Sequence, residues 1–434
     1  MTLRIIHIIN LIFGVFLFLL VFNILDFFYF WKNLPLALPT KIVYAGLAAY
    51  FLPKIKGTPN VSFQLWILFS ICFIVIAYPV TLFYGEVHPS VDVVLMIRSL
   101  IYNLVVATIC YKFTLFAAQR GHLNRMIDGI LILFIISSLL TIFALPIGFL
   151  RIQFANQPAI VPYDRMAGVY LNPNLAGLAG NITMSLGLGI LFRNEGSMGR
   201  ALLGFMGIAS GIGAIAASIS KTSVIIAIFT LLLSIVIYFS TYTRMSRPTR
   251  RLGNIFFGLL IYSVVQLGIL LSVFFSDLLP SQQKRIEQIG LILTGRADKS
   301  DTSNRADLAS LGFEKIGERP ILGTGLGSFH HLLDAGSKTG DDVGIHNIYI
   351  RIWGEGGLLP FALFMLFLGV SAWKSLFIPS PWIRMTALSL WSTLSITGLT
   401  SHNILEVNLL GALVGFMCAF LVIHQLKDET KEVS

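Results

Sequence analysis

The side chains of this sequence that could do chemistry are polar residues standing at or near the ends of long apolar segments. Arg165 and Asn174 bracket the stretch Arg165-Met-Ala-Gly-Val-Tyr-Leu-Asn-Pro-Asn174. Lys221 closes Ser218-Ile-Ser-Lys221, Arg305 follows Ser303-Asn304, and His346-Asn347 opens an apolar run. His402 and Glu406 begin the last one. Several cations drawn from separate segments to one side of a membrane suit a dianionic group such as a phosphate or pyrophosphate. Histidine is the one side-chain type among them whose unperturbed pKa allows proton transfer near neutral pH. Each residue also has a plainer reading. Arg165 can be a solvated charge or a headgroup contact, and Lys221 can snorkel to the interface. Arg305 can pair with Asp301 or Asp307. Asn172 and Asn174 around Pro173, like His346, can belong to helix starts. His402 and Glu406, one turn apart, can neutralise each other.

The elements that must position these residues are membrane helices. Of 434 residues, 56% are hydrophobic and only 12% charged, about half the charged share of an ordinary soluble domain. Roughly 20 apolar residues cross a bilayer as a helix, and backbone groups in lipid must bond within their own segment. About twelve spans are expected, near residues 5–30, 36–53, 64–84, 91–117, 126–150, 174–192, 201–219, 221–240, 254–276, 347–372, 382–400 and 403–424. The fold class is therefore all-α, a polytopic membrane protein. The first apolar stretch is too long for a signal-peptide core and lacks a small-residue cleavage site, so it reads as a retained helix. The formal charge of +10 punctuates the apolar runs and forms no basic stripe. It marks topology and argues against a nucleic-acid partner.

Arg and Lys gather in one alternating set of short loops, such as Lys54/Lys56, Arg120/Arg125 and Arg244–Arg251. The positive-inside rule places that set and both termini in the cytoplasm. Two long loops then lie outside, at 151–173 and 277–345. The chain divides into spans one to nine (1–276), the large loop (277–345), and the last three spans with a cytoplasmic tail (346–434). Helical patterns near 281–293 and 303–316 are expected inside the large loop. Leu308, Leu311, Phe313 and Ile316 supply an apolar face that could lie on the membrane.

Four further features carry less. Arg98 sits about two turns inside the fourth span, where a charge costs roughly 2.5–3.5 kcal/mol at the helix centre. A lipid-linked phosphate or a pair with Asp92 or Asp26 would offset it. Arg351 and Glu355, four apart, read as a buried neutralising pair. Gly323-Thr-Gly-Leu-Gly327 lacks the G-x-G-x-x-G spacing and a preceding strand, so a tight turn accounts for it better than a nucleotide loop. Cys72, Cys110 and Cys418 have no metal-ligand spacing and read as buried thiols.

Taken together, the motifs resemble those of the O-antigen ligase and polymerase superfamily. The resemblance rests on Arg319-Pro-Ile-Leu-Gly-Thr-Gly-Leu-Gly-Ser-Phe329, on His346-Asn-Ile-Tyr-Ile350 and Glu355-Gly-Gly357, and upstream on Arg165…Asn-Pro-Asn174 and Ser218-Ile-Ser-Lys221. It implies a bacterial inner-membrane glycosyltransferase with a GT-C-like architecture, working on the periplasmic face. Nothing in the long loops resembles an Asp-rich metal site, so transfer without a cofactor or metal is expected. The implied donor is an undecaprenyl pyrophosphate-linked glycan, and the implied acceptor is lipid A-core, a growing glycan or a protein. By motif, His346 would be the catalytic histidine. Lys221, Arg305 and Arg165 would hold the pyrophosphate, with Asn174, Asn347, Arg98 and His402 in support. The family usually has arginine where this sequence has Lys221, which keeps the charge but loses the bidentate fork. The large loop bearing His346 favours the ligase among the three. A secondary transporter or flippase is the rival from another class, with Arg98 as its main support.

Overall fold

The computed structural model describes residues 3–22, 46, 60–84, 92–143, 167–170, 172–193, 197–241, 258, 280–294, 305–329, 345–401, 405 and 407–432. Thirteen α-helices and no strands occur among them, in the order α1 (Leu3–Val21), α2 (Val61–Tyr84), α3 (Val93–Gln119), α4 (Leu123–Ile142), α5 (Pro173–Leu191), α6 (Met198–Ser218) and α7 (Lys221–Thr241). They continue as α8 (Pro280–Leu293), α9 (Arg305–Glu318), α10 (Ile348–Gly356), α11 (Leu358–Leu376), α12 (Pro381–Thr400) and α13 (Asn408–Glu432). Seven of them, α2 to α7 and α11, are long and apolar enough to cross a membrane. The all-helical, polytopic expectation holds. The expected spans at 36–53 and 254–276 fall almost wholly outside the described residues, as do His402 and Glu406.

Two compact units form. The first contains Met1–Thr40, Arg120–Gly290 and Ile378–Thr393; the second contains Lys41–Gln119, Leu291–Phe377 and Leu394–Ser434. In the first, α5 is enclosed by α4, α6 and α7, and its glycines let α6 approach. A Cβ on Gly187 would lie 2.7 Å from the Gly204 carbonyl oxygen and 2.9 Å from the Ile208 nitrogen. Lipid is as apolar as the helices, so close backbone approach through small residues holds such pairs together. The obstructing atoms are backbone and cannot step aside. Gly187→Ala is therefore expected to destabilise the protein by about 1–3 kcal/mol, read as a lower midpoint of thermal unfolding in detergent. An unchanged midpoint would mean that the two helices are not in this register.

In the second unit the same device joins α13 to α3, where Gly411 and Gly415 face Asn103, Ala107 and Cys110. Asn103 donates from Nδ2 to the Val407 carbonyl at 3.0 Å. α2 packs on α11 through aromatic rings, with Trp66 5.2 Å from Phe367 and Phe69 5.1 Å from Phe364 between centroids.

Two expectations need correction. The apolar run 347–372 is not one helix, because it breaks at Gly357 into α10 and α11. Gly357 adopts φ +78°, and a Cβ there would run into the Ile321 carbonyl. The amphipathic helix of the large loop forms as α9, but its apolar face is used differently. Leu308 and Ile316 are buried, and Ile316 joins Phe329, Ile345 and Ile350 in a small core. Phe313 alone of the four stays exposed. Half of the face expected on the membrane is therefore covered by the protein itself.

Candidate functional site

Within the first unit, the Asn-Pro-Asn174 and Ser-x-Ser-Lys221 segments come together. Asn172 is extended and caps α5, its side chain accepting from the Asn174 N–H at 2.8 Å. Pro173 follows in the first turn, where its missing N–H leaves nothing unsatisfied. Asn174 is exposed there. Three residues on, Gly177 faces Ser218 and Ser223, and a Cβ would collide with both hydroxyls. Asn181 donates from Nδ2 to the Ser223 carbonyl at 3.1 Å. These contacts fix the turn that carries Lys221 against the start of α5.

That turn is short and strained. Ile219 stands in the left-handed region at φ 45°, which a β-branched residue rarely adopts. The Ser220 and Ser223 hydroxyls lie 3.1 Å apart. Lys221 is the half-buried first residue of α7. A cation at a helix N-terminus opposes the helix dipole by about 0.3–1 kcal/mol. An anion there would be attracted both by the ammonium and by the positive end of the helix dipole. Arg165 lies outside the described residues. The chain resumes at Ala167 and is anchored at once, the Tyr170 hydroxyl sitting 2.6 Å from the Ser137 hydroxyl in a buried setting that pushes the phenol pKa up.

Within the second unit, His346 stands between two fixed points. On one side, the Ile345 N–H donates to the Phe329 carbonyl at 3.2 Å. On the other, Asn347 caps α10, its side chain accepting from the Tyr349 and Ile350 N–H groups at 3.0 and 3.3 Å. The Asn347 amide oxygen is thus engaged by its own helix, and His346 is held half-buried just before it. The far end of α10 is held by the glycine-rich loop. A helix leaves its last carbonyls without intrahelical partners. Here the Thr324 N–H donates to the Gly354 carbonyl at 2.7 Å and the Gly325 N–H to the Glu355 carbonyl at 3.1 Å. Gly323, Gly325 and Gly327 all have positive φ, so the loop is the tight turn expected, closed around a helix end. A Cβ on Gly354 would penetrate the Phe329 ring.

Along α10, Arg351 and Glu355 form the expected pair, Nε to Oε2 at 3.1 Å, with side chains only 2% and 0% exposed. Arg305 starts α9, whose Gly312 lies against Ile345 and Ile350 on either side of His346-Asn347. Arg98 is exposed on α3 rather than sunk in the protein. The Asp92 carboxylate accepts from the Leu95 N–H at 2.9 Å as that helix begins.

Phe329 and Thr81 escaped the sequence reading as parts of this site. Phe329 was visible only as a motif letter. Thr81 lies inside an apolar span, where no periodicity marks it, yet its hydroxyl accepts from the Leu326 N–H at 2.7 Å.

A family model described as O-antigen ligase matches residues 206–365, from the middle of α6 into α11. The match supports the superfamily resemblance carried by the motifs and points to an enzyme of the membrane glycosyltransferase kind. A search of the curated proteins found no match.

Proposed function

We propose that this chain is an O-antigen ligase, transferring polysaccharide from undecaprenyl pyrophosphate to lipid A-core on the periplasmic face of the bacterial inner membrane. The observation that carries the reading is the matched stretch 206–365, which contains Lys221, Arg305 and His346. Arg165 and Asn174 lie outside it and are assigned by motif alone.

In this reading an acceptor hydroxyl oxygen attacks the anomeric carbon while the bond from that carbon to the pyrophosphate oxygen breaks. His346 takes the hydroxyl proton, and the carrier pyrophosphate leaves with the electron pair, inverting the anomeric centre. Lys221, Arg305 and Arg165 stabilise the charge that grows on the leaving group, which is where preorganised cations contribute most. The carrier supplies the energy, so no nucleotide is needed; the loops carry no Asp-rich metal motif, and the transfer in this reading is metal-independent.

The test is reconstitution with lipid-linked glycan and three separate acceptors, in a strong chelator. Transfer to lipid A-core is expected. Transfer only to glycan or only to protein would make the enzyme a polymerase or a protein O-oligosaccharyltransferase. Donor translocation without transfer would make it a flippase. In the same assay Lys221→Arg should keep activity and Lys221→Glu should lose donor binding. Equal activity of the two would remove Lys221 from the site.

A further inference from the structure

We infer that the turn Arg319–Gly323, which closes on α10, is itself seated in the membrane, with Ile321 and Leu322 in contact with lipid acyl chains. These two side chains are 70% and 54% exposed, in a loop otherwise buried from Gly323 to Phe329. Two adjacent bulky aliphatic side chains facing outward, contiguous with further exposed apolar residues, form the kind of patch that marks an interaction with protein or membrane.

Their surroundings identify that partner. The Leu358 N–H donates to the Ile321 carbonyl at 3.1 Å, fixing the turn against the start of α11. The Arg319 guanidinium lies 3.7 Å over the Tyr84 ring at the end of α2. α2 and α11 are both candidate membrane spans. Phe83, 83% exposed at the end of one, and Leu358 at the start of the other, are outward-facing apolar residues. Ile321 and Leu322 thus continue the lipid-facing surface of two spans at their shared end. Tyr84, Arg319 and Trp353 sit beside them, the residue types that collect at the level of lipid headgroups.

The backbone of the turn also fits lipid, where unpaired polar groups are costly. Pro320 has no N–H, and its carbonyl accepts from Trp353 Nε1 at 3.0 Å. The Arg319 carbonyl accepts from the Gly323 N–H at 2.9 Å. With the Ile321 carbonyl taken by Leu358, three successive carbonyls are satisfied inside the protein. The seat gives the loop that holds α10 a second anchor, in the bilayer. The inference does not depend on which reaction the protein performs.

The test uses full-length protein in nanodiscs with Cys72→Ala, Cys110 and Cys418 being buried. A polarity-sensitive fluorophore is placed by Ile321→Cys and, as the aqueous control, by Glu318→Cys. The Ile321 probe should emit further to the blue. It should be quenched several-fold more by nitroxides on acyl chains than the control, and less by iodide. Equal iodide quenching at both positions would put the turn in water and overturn the inference. Blue-shifted emission without quenching by lipid nitroxide would mean a protein partner, including a second copy, and would overturn it equally.

Discussion

His346→Ala is expected to abolish glycan transfer while leaving the fold intact. A positioned general base contributes about 10²–10⁴-fold to rate, so residual activity should fall by at least about two orders of magnitude. Stability should change little, because the fixed points flanking the residue do not use its side chain. Ile345 is held through its main-chain N–H and Asn347 caps the helix with its own amide. The measurement is transfer by purified, reconstituted protein, paired with thermal unfolding. Donor binding should survive, since the cations assigned to the pyrophosphate are untouched. A variant that transfers at the normal rate would move the base elsewhere. One that unfolds at markedly lower temperature would make His346 a packing residue instead.

Membrane spans such as α2 and α7 were legible because a bilayer demands about 20 apolar residues in a row, and nothing else in a protein produces that pattern so often. The break at Gly357 was not legible. Apolar residues continue across it from Ile348 to Leu376, and a glycine's conformation depends on a distant contact, here with Ile321. The helix at Arg305–Glu318 showed its apolar face in its periodicity, but periodicity reports that a face is apolar and not what covers it. Ile316 therefore went to the protein core and not to lipid. By motif, Asn347 is a polar residue supporting His346. The expected span starts at 347 itself, and only the start of α10 at Ile348 makes Asn347 the cap, a position asparagine favours. The Arg351–Glu355 pair was the easier case, because a four-residue spacing fixes both partners on one face whatever surrounds them.

The motif glycines lead to the remaining large effect. Gly354→Ala would drive a methyl into the Phe329 ring, and that ring is hemmed in by Ile316, Ile345 and Ile350. Overpacking of a filled core costs about 1–3 kcal/mol, and the strain would fall on the segment carrying His346. Transfer should therefore drop more than the modest change in side-chain volume suggests. Phe329→Leu, made alone, leaves space beside Gly354 and loosens the same segment. Combined, the two changes partly fill and relieve each other, because the new methyl occupies volume the smaller side chain vacates. Unfolding midpoints and transfer rates of the four proteins form a double-mutant cycle. A coupling of about 0.5–3 kcal/mol in the compensating direction is expected for residues in contact. Strict additivity in both readouts would mean that Phe329 does not bear on Gly354. The spacing of the motif would then need another explanation than a loop clasped around the helix that begins just after His346.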